Sequence, residues 1–579
     1  MAQMQESDIA VTVTVEALFP GVVADEAALL AALAELSRDD ALFFCGRLNA
    51  LIAGFGPHRN DVERQTAALR WICTEEQLRA LDRYAALHGG PENVRVFFRG
   101  QLLELARWVV TQCQNKPGDG DTFQDPAARS AFVRAALIVS GLWAQRVFGT
   151  RLEGPGDDRE KLQHALGPFR KSVEEGNRAP EAQVAISRGW LLFSRYLPHY
   201  EGDFPALFER ATGLTLQEYF VVALVLLQRT FAGDKDGPTF STSQPEDPSP
   251  IRPIFERYVR LKSQTPEEWA QRVRDTPDDD GYRVLRERPI LTFPGNRSLI
   301  VDPTFYSDNL MAAPLFHVAA LPEVKSNRIF GVFGDAFEEY ALAVLKKRYP
   351  TSAVLAPRLR WGLKAKDGAG KHFEVDALIN DVTEGVLAEI KAVWIRDETV
   401  LNPDPQVFLD EIRHKYGYRP GSKDRGKGPA QLARSVGALV RREWAGEEAE
   451  YAALQYVHPV LVVHDARMAQ PGLARFLEED FRAMLGPVPE GIHVHKITIL
   501  TIDDLERLTC SVEELSLTKF LHAYSAADPH RTSSVQNYIA RSEFATQVRP
   551  SPVVEEAMQE LLQVIRRVFS NHQDNSDAL

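Results

Sequence analysis

Glu389 and Lys391 stand two residues apart in an otherwise apolar stretch from Val386 to Trp394, and Asp376 stands in the apolar stretch before it, Phe373 to Ile379. Residues two apart on a strand project to the same face, so Glu389 and Lys391 point together while Ile390 faces the opposite layer. An unpaired charge on a buried strand is costly, which makes packing a poor reason for an acid and a base there. If the two stretches are adjacent strands joined by Asn380 to Gly385, then Asp376, Glu389 and Lys391 converge on one point. The bland alternative is a hairpin whose acid–base pair lies on a solvated face.

Two carboxylates at one point suit a hard cation such as Mg²⁺, which takes oxygen ligands. Such an ion polarises a phosphoryl oxygen and lowers the pKa of a bound water. A neighbouring lysine would position that water or offset charge developing on the phosphate. The preceding segment, Gly334 to Arg348, reads as an amphipathic helix with Lys346, Lys347 and Arg348 at the end the macrodipole favours. Helical spacing from Glu338 leads to Ala341, Leu342 and Leu345, which puts this acid on or beside the buried stripe and in need of a partner. A nearby cation would satisfy it, and so would a metal held by Asp376 and Glu389. Glu339 points more outward, beside Lys346.

The order helix-Glu, strand-Asp, strand-Glu-x-Lys resembles the PD-(D/E)XK nuclease superfamily of restriction enzymes, Holliday-junction resolvases and RecB-type nucleases. The matching text is 334–340, 374–377, 388–391 and 427–432, the last similar to the Gln-bearing helix start that several branches place after the third strand. The resemblance covers 329–510, with Val375 where a proline usually precedes the first acid. It implies an α/β restriction-endonuclease-like domain with a mixed central sheet. It implies Mg²⁺, with Mn²⁺ able to substitute, on Asp376, Glu389 and the Ile390 carbonyl, with Glu338 completing the shell directly or through water. Lys391 would then assist the attacking water, Gln431 would join the catalytic set, and the reaction would be endonucleolytic hydrolysis of DNA.

Composition frames this reading. At 579 residues the chain exceeds one ordinary domain. Its 44% hydrophobic and 25% charged residues are those of a globular protein. No apolar run approaches the ~20 residues that span a bilayer. The N-terminus lacks the basic and apolar regions of a signal peptide. Cys45, Cys73, Cys113 and Cys510 form no CxxC pair, which argues against a zinc or disulfide framework and for a cytoplasmic setting. The net charge of −13 excludes a protein coated in nucleic acid. The charge is uneven, however: residues 341–440 hold 17 Lys+Arg against 12 Asp+Glu, the reverse of the chain's 67 against 80. That surplus lies where a polyanion would be steered to the proposed site.

Along the chain, residues 1–232 read as an all-α region with apolar residues at helical spacing and caps at Thr74 and Thr215. Residues 233–250, rich in Pro, Gly, Ser and acids, read as a linker. A connecting α+β segment follows over 251–328, with a hairpin expected over 282–302 from Val284-Leu285, 289–293 and 298–301. The nuclease-like domain (329–510) continues as helix 430–440, strand 457–463, helix 473–485, strand 494–501 and helix 502–508. A helical extension, 511–579, ends the chain. His493 and His495 share a strand face and, with no acid-rich motif beside them, read as edge or surface residues.

Residues 401–428 read as a long loop, basic and glycine-rich, in which Lys415, Tyr416, Lys423, Arg425 and Lys427 are the expected nucleic-acid contacts, the tyrosine by stacking, with a merely solvated loop as the alternative. Gly421 to Lys427 spells G-x-x-x-x-G-K, but Gly428 stands where a P-loop needs Ser or Thr, which argues against an NTPase. The function expected is a DNA nuclease that serves as effector of a bacterial anti-phage defence or genome-maintenance system. Its helical N-terminal region would be a regulatory or sensor module that meets a protein partner, with homo-oligomerisation left open and no membrane involved. Two alternatives stand: a ribonuclease of the same fold, and a non-catalytic interaction protein on a nuclease-like scaffold.

Overall fold

The protein is described by a computed structural model from residue 11 to residue 574, except for 54–60, 116–124, 149–181, 232–238, 242–250, 276–281, 351–356, 367–371, 401–404, 417–427, 445–450, 511–514 and the single positions 471, 532 and 550. Helices dominate, and mixed sheets occupy the C-terminal part. Local sequence explains many helix starts. Thr74 and Gln77 cap each other reciprocally at the start of Glu75–Leu87, and Thr215 and Glu218 do the same for Leu216–Phe231.

Strands β1 (Val11–Thr12) and β2 (Val94–Arg95) form a short parallel pair in the N-terminal part. A second sheet has the order β3-β6-β5-β4, from Thr239–Ser241, Ser263–Gln264, Ile290–Phe293 and Arg297–Ile300. The hairpin expected before residue 302 is thus β5–β6 alone, because Val284 and Leu285 lie in the helix Tyr282–Glu287. Most of the expected linker lies outside the described residues, but 239–241 within it pairs with β6 and buries Phe240.

The large sheet is mixed. Strands β7 (Arg358–Lys366), β8 (His372–Asp381) and β9 (Glu384–Lys391) run antiparallel, and β10 (Tyr456–Val463) lies parallel to β9. β11 (His493–Val494) and β12 (Thr498–Thr501) both pair with β10 in parallel. One face carries Ala377, Val386, Ala388 and Ile390 against the helices Ser326–Arg348, Ile502–Thr509 and Leu517–Ala527. The other carries Leu378, Leu387 and Leu461 against Pro405–Tyr416, Pro429–Val440 and Leu473–Leu485. The start of the region read as a loop, Pro405–Tyr416, is therefore a helix, held by the burial of Phe408, Leu409 and Ile412.

Among the described residues there are three hydrophobic cores. The first joins helices of 15–142 to Trp269, Tyr282, Leu291 and Leu299. The second joins Ala182–Leu191 and Leu216–Phe231 to the large sheet and to the C-terminal helix Pro552–Asp574. The small sheet stands between them, with Leu291 and Leu299 in the first core and Ile290 and Ile300 in the second. Residues 182–231 thus pack with the α/β part rather than with the helices before them. One stretch, Pro126–Gln145, is after all long and apolar enough to cross a membrane, and its Phe132, Val133 and Leu137 are buried in the first core.

Candidate active site

The three charged positions of the strand pair meet at one end of the large sheet. β8 and β9 pair from Asp381–Glu384 up to Ala377–Ala388, and beyond that point no further pairs form. The Ile390 N–H, left without a ladder partner, donates instead to Asp376 Oδ2 at 2.7 Å. Lys391 Nζ lies 3.6 Å from the same oxygen and in contact with Glu389. Asp376 is 7% exposed and Glu389 1%. The alternative, an acid–base pair on a solvated hairpin face, is therefore excluded.

Asp376 owes its aim to an irregularity in β8. Val375 belongs to one core and Ala377 to the other, although residues two apart on a regular strand share a face. The β7–β8 ladder skips Gly362 and Asp376, pairing Trp361 with Ala377 and Leu363 with Val375. Gly362 has φ +60°, a left-handed conformation that a residue with a Cβ adopts only at a cost. This local break in a continuous register, centred on Gly362 opposite Asp376, turns Asp376 between the two faces.

Glu338 comes from the Ser326–Arg348 helix, with Ala341, Leu342 and Leu345 buried on its stripe as the spacing implied. Burial and then the Asp376 charge raise its carboxyl to about 7. Asp335 and Glu374 add to this repulsion, and Lys391 opposes it. Burial raises Glu389 to about 8, against the pull of Lys391, and also raises Asp376. Lys391 is held charged by Glu389 and Asp376 despite its burial. One lysine thus serves three carboxylates, an excess of negative charge that a divalent cation would relieve. Glu338, Asp376 and Glu389 have the oxygen donors Mg²⁺ or Mn²⁺ requires. Glu339 lies 3.3 Å from His199 rather than beside Lys346, which sits over the Trp361 ring.

The remaining expected residues divide. Gln431 is placed on the first turn of Pro429–Val440, the helix packed against β9. Tyr416 is fully buried, its hydroxyl bonded to the Val393 carbonyl at 3.0 Å, so it offers no ring for stacking on a base. Lys415 is committed to the Trp394 carbonyl and, at 2.7 Å, to Glu411, which removes it from the set of free cations. Lys423, Arg425 and Lys427 lie outside the described residues. Gly428 (φ +54°) packs so closely on Tyr416 that a Cβ would come 2.9 Å from the Tyr416 carbonyl oxygen.

Sequence reasoning missed the aromatic group at this end of the sheet. Trp394 packs at centroid distances of 5.8 Å against Phe316 and Phe330 and 4.8 Å against His464. Phe316 is 47% exposed. The His464 amide donates to the Lys391 carbonyl, fixing this group to the end of β9. Its only sequence signal was Trp394 itself, three residues beyond Lys391. No family model, curated protein or solved structure matches the chain.

Proposed function

We propose that the protein is a Mg²⁺-dependent nuclease of the PD-(D/E)XK type that hydrolyses DNA phosphodiester bonds. The observation that carries this reading is the meeting of Asp376 and Glu389 on Lys391 at the splayed end of β8 and β9, within electrostatic reach of Glu338. The order of these groups, helix then two antiparallel strands, and a parallel β10 beyond them, agree with that superfamily's layout. The carboxylates would hold the metal, which supplies Lewis acidity and an activated water. Lys391 places a fixed positive charge where a phosphate would gain negative charge. The exposed Phe316 beside Trp394 is the stacking surface that the buried Tyr416 does not provide.

The experiment compares wild type, Asp376→Ala and Lys391→Ala on plasmid, linear duplex, single-stranded DNA and matched RNA, each with Mg²⁺ or Mn²⁺. Cleavage by wild type alone is expected, on DNA. Equal cleavage by all three proteins rejects the site, and cleavage of RNA alone replaces the substrate. The defence role and the sensor role of the N-terminal part belong to the same proposal. The sensor role is supported by the packing of residues 182–231 into the second core beside the site-bearing helix, where a partner's binding would be felt.

A further inference from the structure

At the opposite end of the same strands, four side chains from four separate elements gather: Glu384 at the start of β9, His458 on β10, His495 just after β11, and His522 on Leu517–Ala527. One ring nitrogen from each histidine lies within 4.8 Å of those of the other two. Glu384 Oε2 is 3.3 Å from His458 Nε2, and its Oε1 is 3.7 Å from His522 Nδ1. The His458 and His495 rings stack at 4.2 Å, 5° from parallel. His458 is 2% exposed, and His495 Nε2 is buried with no hydrogen-bond partner. A buried imidazole nitrogen without a partner is an uncompensated cost. Two more imidazoles and a carboxylate surround it, and none of them hydrogen-bonds this nitrogen. We propose that His458, His495 and His522, with Glu384 as fourth ligand or orienting partner, bind a borderline first-row divalent cation, Zn²⁺ above all.

The donor set selects the ion. Imidazole suits Zn²⁺ and its neighbours, whereas Mg²⁺ prefers oxygen ligands, so this site and the Asp376 site take different metals. Tetrahedral Zn–N bonds of about 2.0–2.1 Å need the nitrogens closer than they stand here. The half-exposed His522 can swing in, and the parallel His458 and His495 rings tilt out of their stack, because a metal lies in the plane of each imidazole that binds it. Glu384 is seven residues from Lys391 on β9, roughly 23 Å at about 3.3 Å per residue. The ion would therefore be structural, a clamp between the edge of β10, β11 and the helix that Thr518 already ties to Asp381 at 2.7 Å. It would act independently of the nuclease reading.

The test is Zn²⁺ binding by chelator-stripped full-length protein, read by metal analysis, chelator competition and the visible spectrum of Co²⁺ in its place. Wild type and Asp376→Asn are expected to bind one equivalent alike, with a nitrogen-ligated tetrahedral Co²⁺ spectrum. His522→Ala, on an exposed position that the fold does not need, should bind at least tenfold more weakly, and Glu384→Gln should weaken binding as well. The proposal is overturned if wild type binds no Zn²⁺, if His522→Ala binds as wild type does, or if binding is lost in Asp376→Asn instead. The last two outcomes would assign the ion to cysteines or to the carboxylate site. None of these readouts depends on cleavage of nucleic acid.

Discussion

At the scale of single residues, the carboxylates at the end of β9 make a pH prediction. Glu389 and Glu338 are raised from ordinary values near 4.5 to about 8 and about 7 by burial and mutual repulsion. A carboxyl raised on folding binds its proton more tightly in the native state, so its contribution is complete below about 4.5 and is lost as pH rises through the folded value. Without metal, the melting temperature should fall between pH 5 and 8, and Mg²⁺ should remove much of that fall by replacing the protons. A flat profile without metal, or one unchanged by Mg²⁺, would count against a shared cation site. In the same group, Lys391→Ala should lower kcat by about 10²–10³-fold, the usual effect of removing one stabilising group from a transition state, while the fold persists. Phe316→Ala should weaken DNA binding without changing kcat, measured by titration against labelled duplex in the presence of Ca²⁺. Unaltered affinity would remove the stacking role.

At the scale of elements, the break in the β7–β8 ladder at Gly362 is what aims Asp376. Gly362→Ala should destabilise the protein by about 1–2 kcal/mol, from the left-handed backbone and from a Cβ that would come 3.2 Å from Glu374 Oε1. It should also reduce cleavage by more than the stability loss explains, because Asp376 would be re-aimed. Denaturant melts and turnover on the same preparation separate the two effects. A variant as stable and as active as wild type would show that the ladder break is incidental. The helix Pro405–Tyr416 teaches the complementary lesson. Its last turn is basic and reads as a nucleic-acid contact, yet Tyr416 and Lys415 are consumed by the backbone of 393–394.

At the scale of the whole molecule, one buried ion network ties the N-terminal helices to the α/β part. Arg188 donates to both oxygens of Glu506 at 2.9 and 2.8 Å and contacts Asp503, while the Tyr340 hydroxyl donates to Glu506 at 2.5 Å. Tyr340 lies on the same helix as Glu338. Arg188→Ala should cost about 3–5 kcal/mol, since it leaves Glu506 buried without its cation. Arg188→Ala with Glu506→Gln should recover part of that loss, by double-mutant cycle. Additive losses would mean the network is not a unit. The small sheet between the first and second cores makes a clean truncation unattainable. Deletion to residue 245 removes helices of the second core, and deletion to 181 exposes Trp269, Leu291 and Leu299. Tests of regulation therefore call for point substitutions in the intact chain.

The sequence by itself determined the elements that carry the chemistry. The apolar runs around Asp376, Glu389 and Val460 became β8, β9 and β10, and the stripe beside Glu338 became a helix, because period-2 and period-3.6 patterns are local properties. Two charges on a buried strand were legible for the same reason. Only the tertiary structure decided the rest. The face of Asp376 depends on Gly362 across the ladder, the fate of Tyr416 on a carbonyl 23 residues earlier, and the histidine cluster on four elements between 384 and 522. His493 and His495 read as an edge pair because His458 and His522 are far away in the chain, and no periodicity links residues that meet only through packing. The cores likewise joined 13–142 to 269–305, and 186–227 to 500–564, since burial is settled by which apolar faces meet rather than by order along the chain.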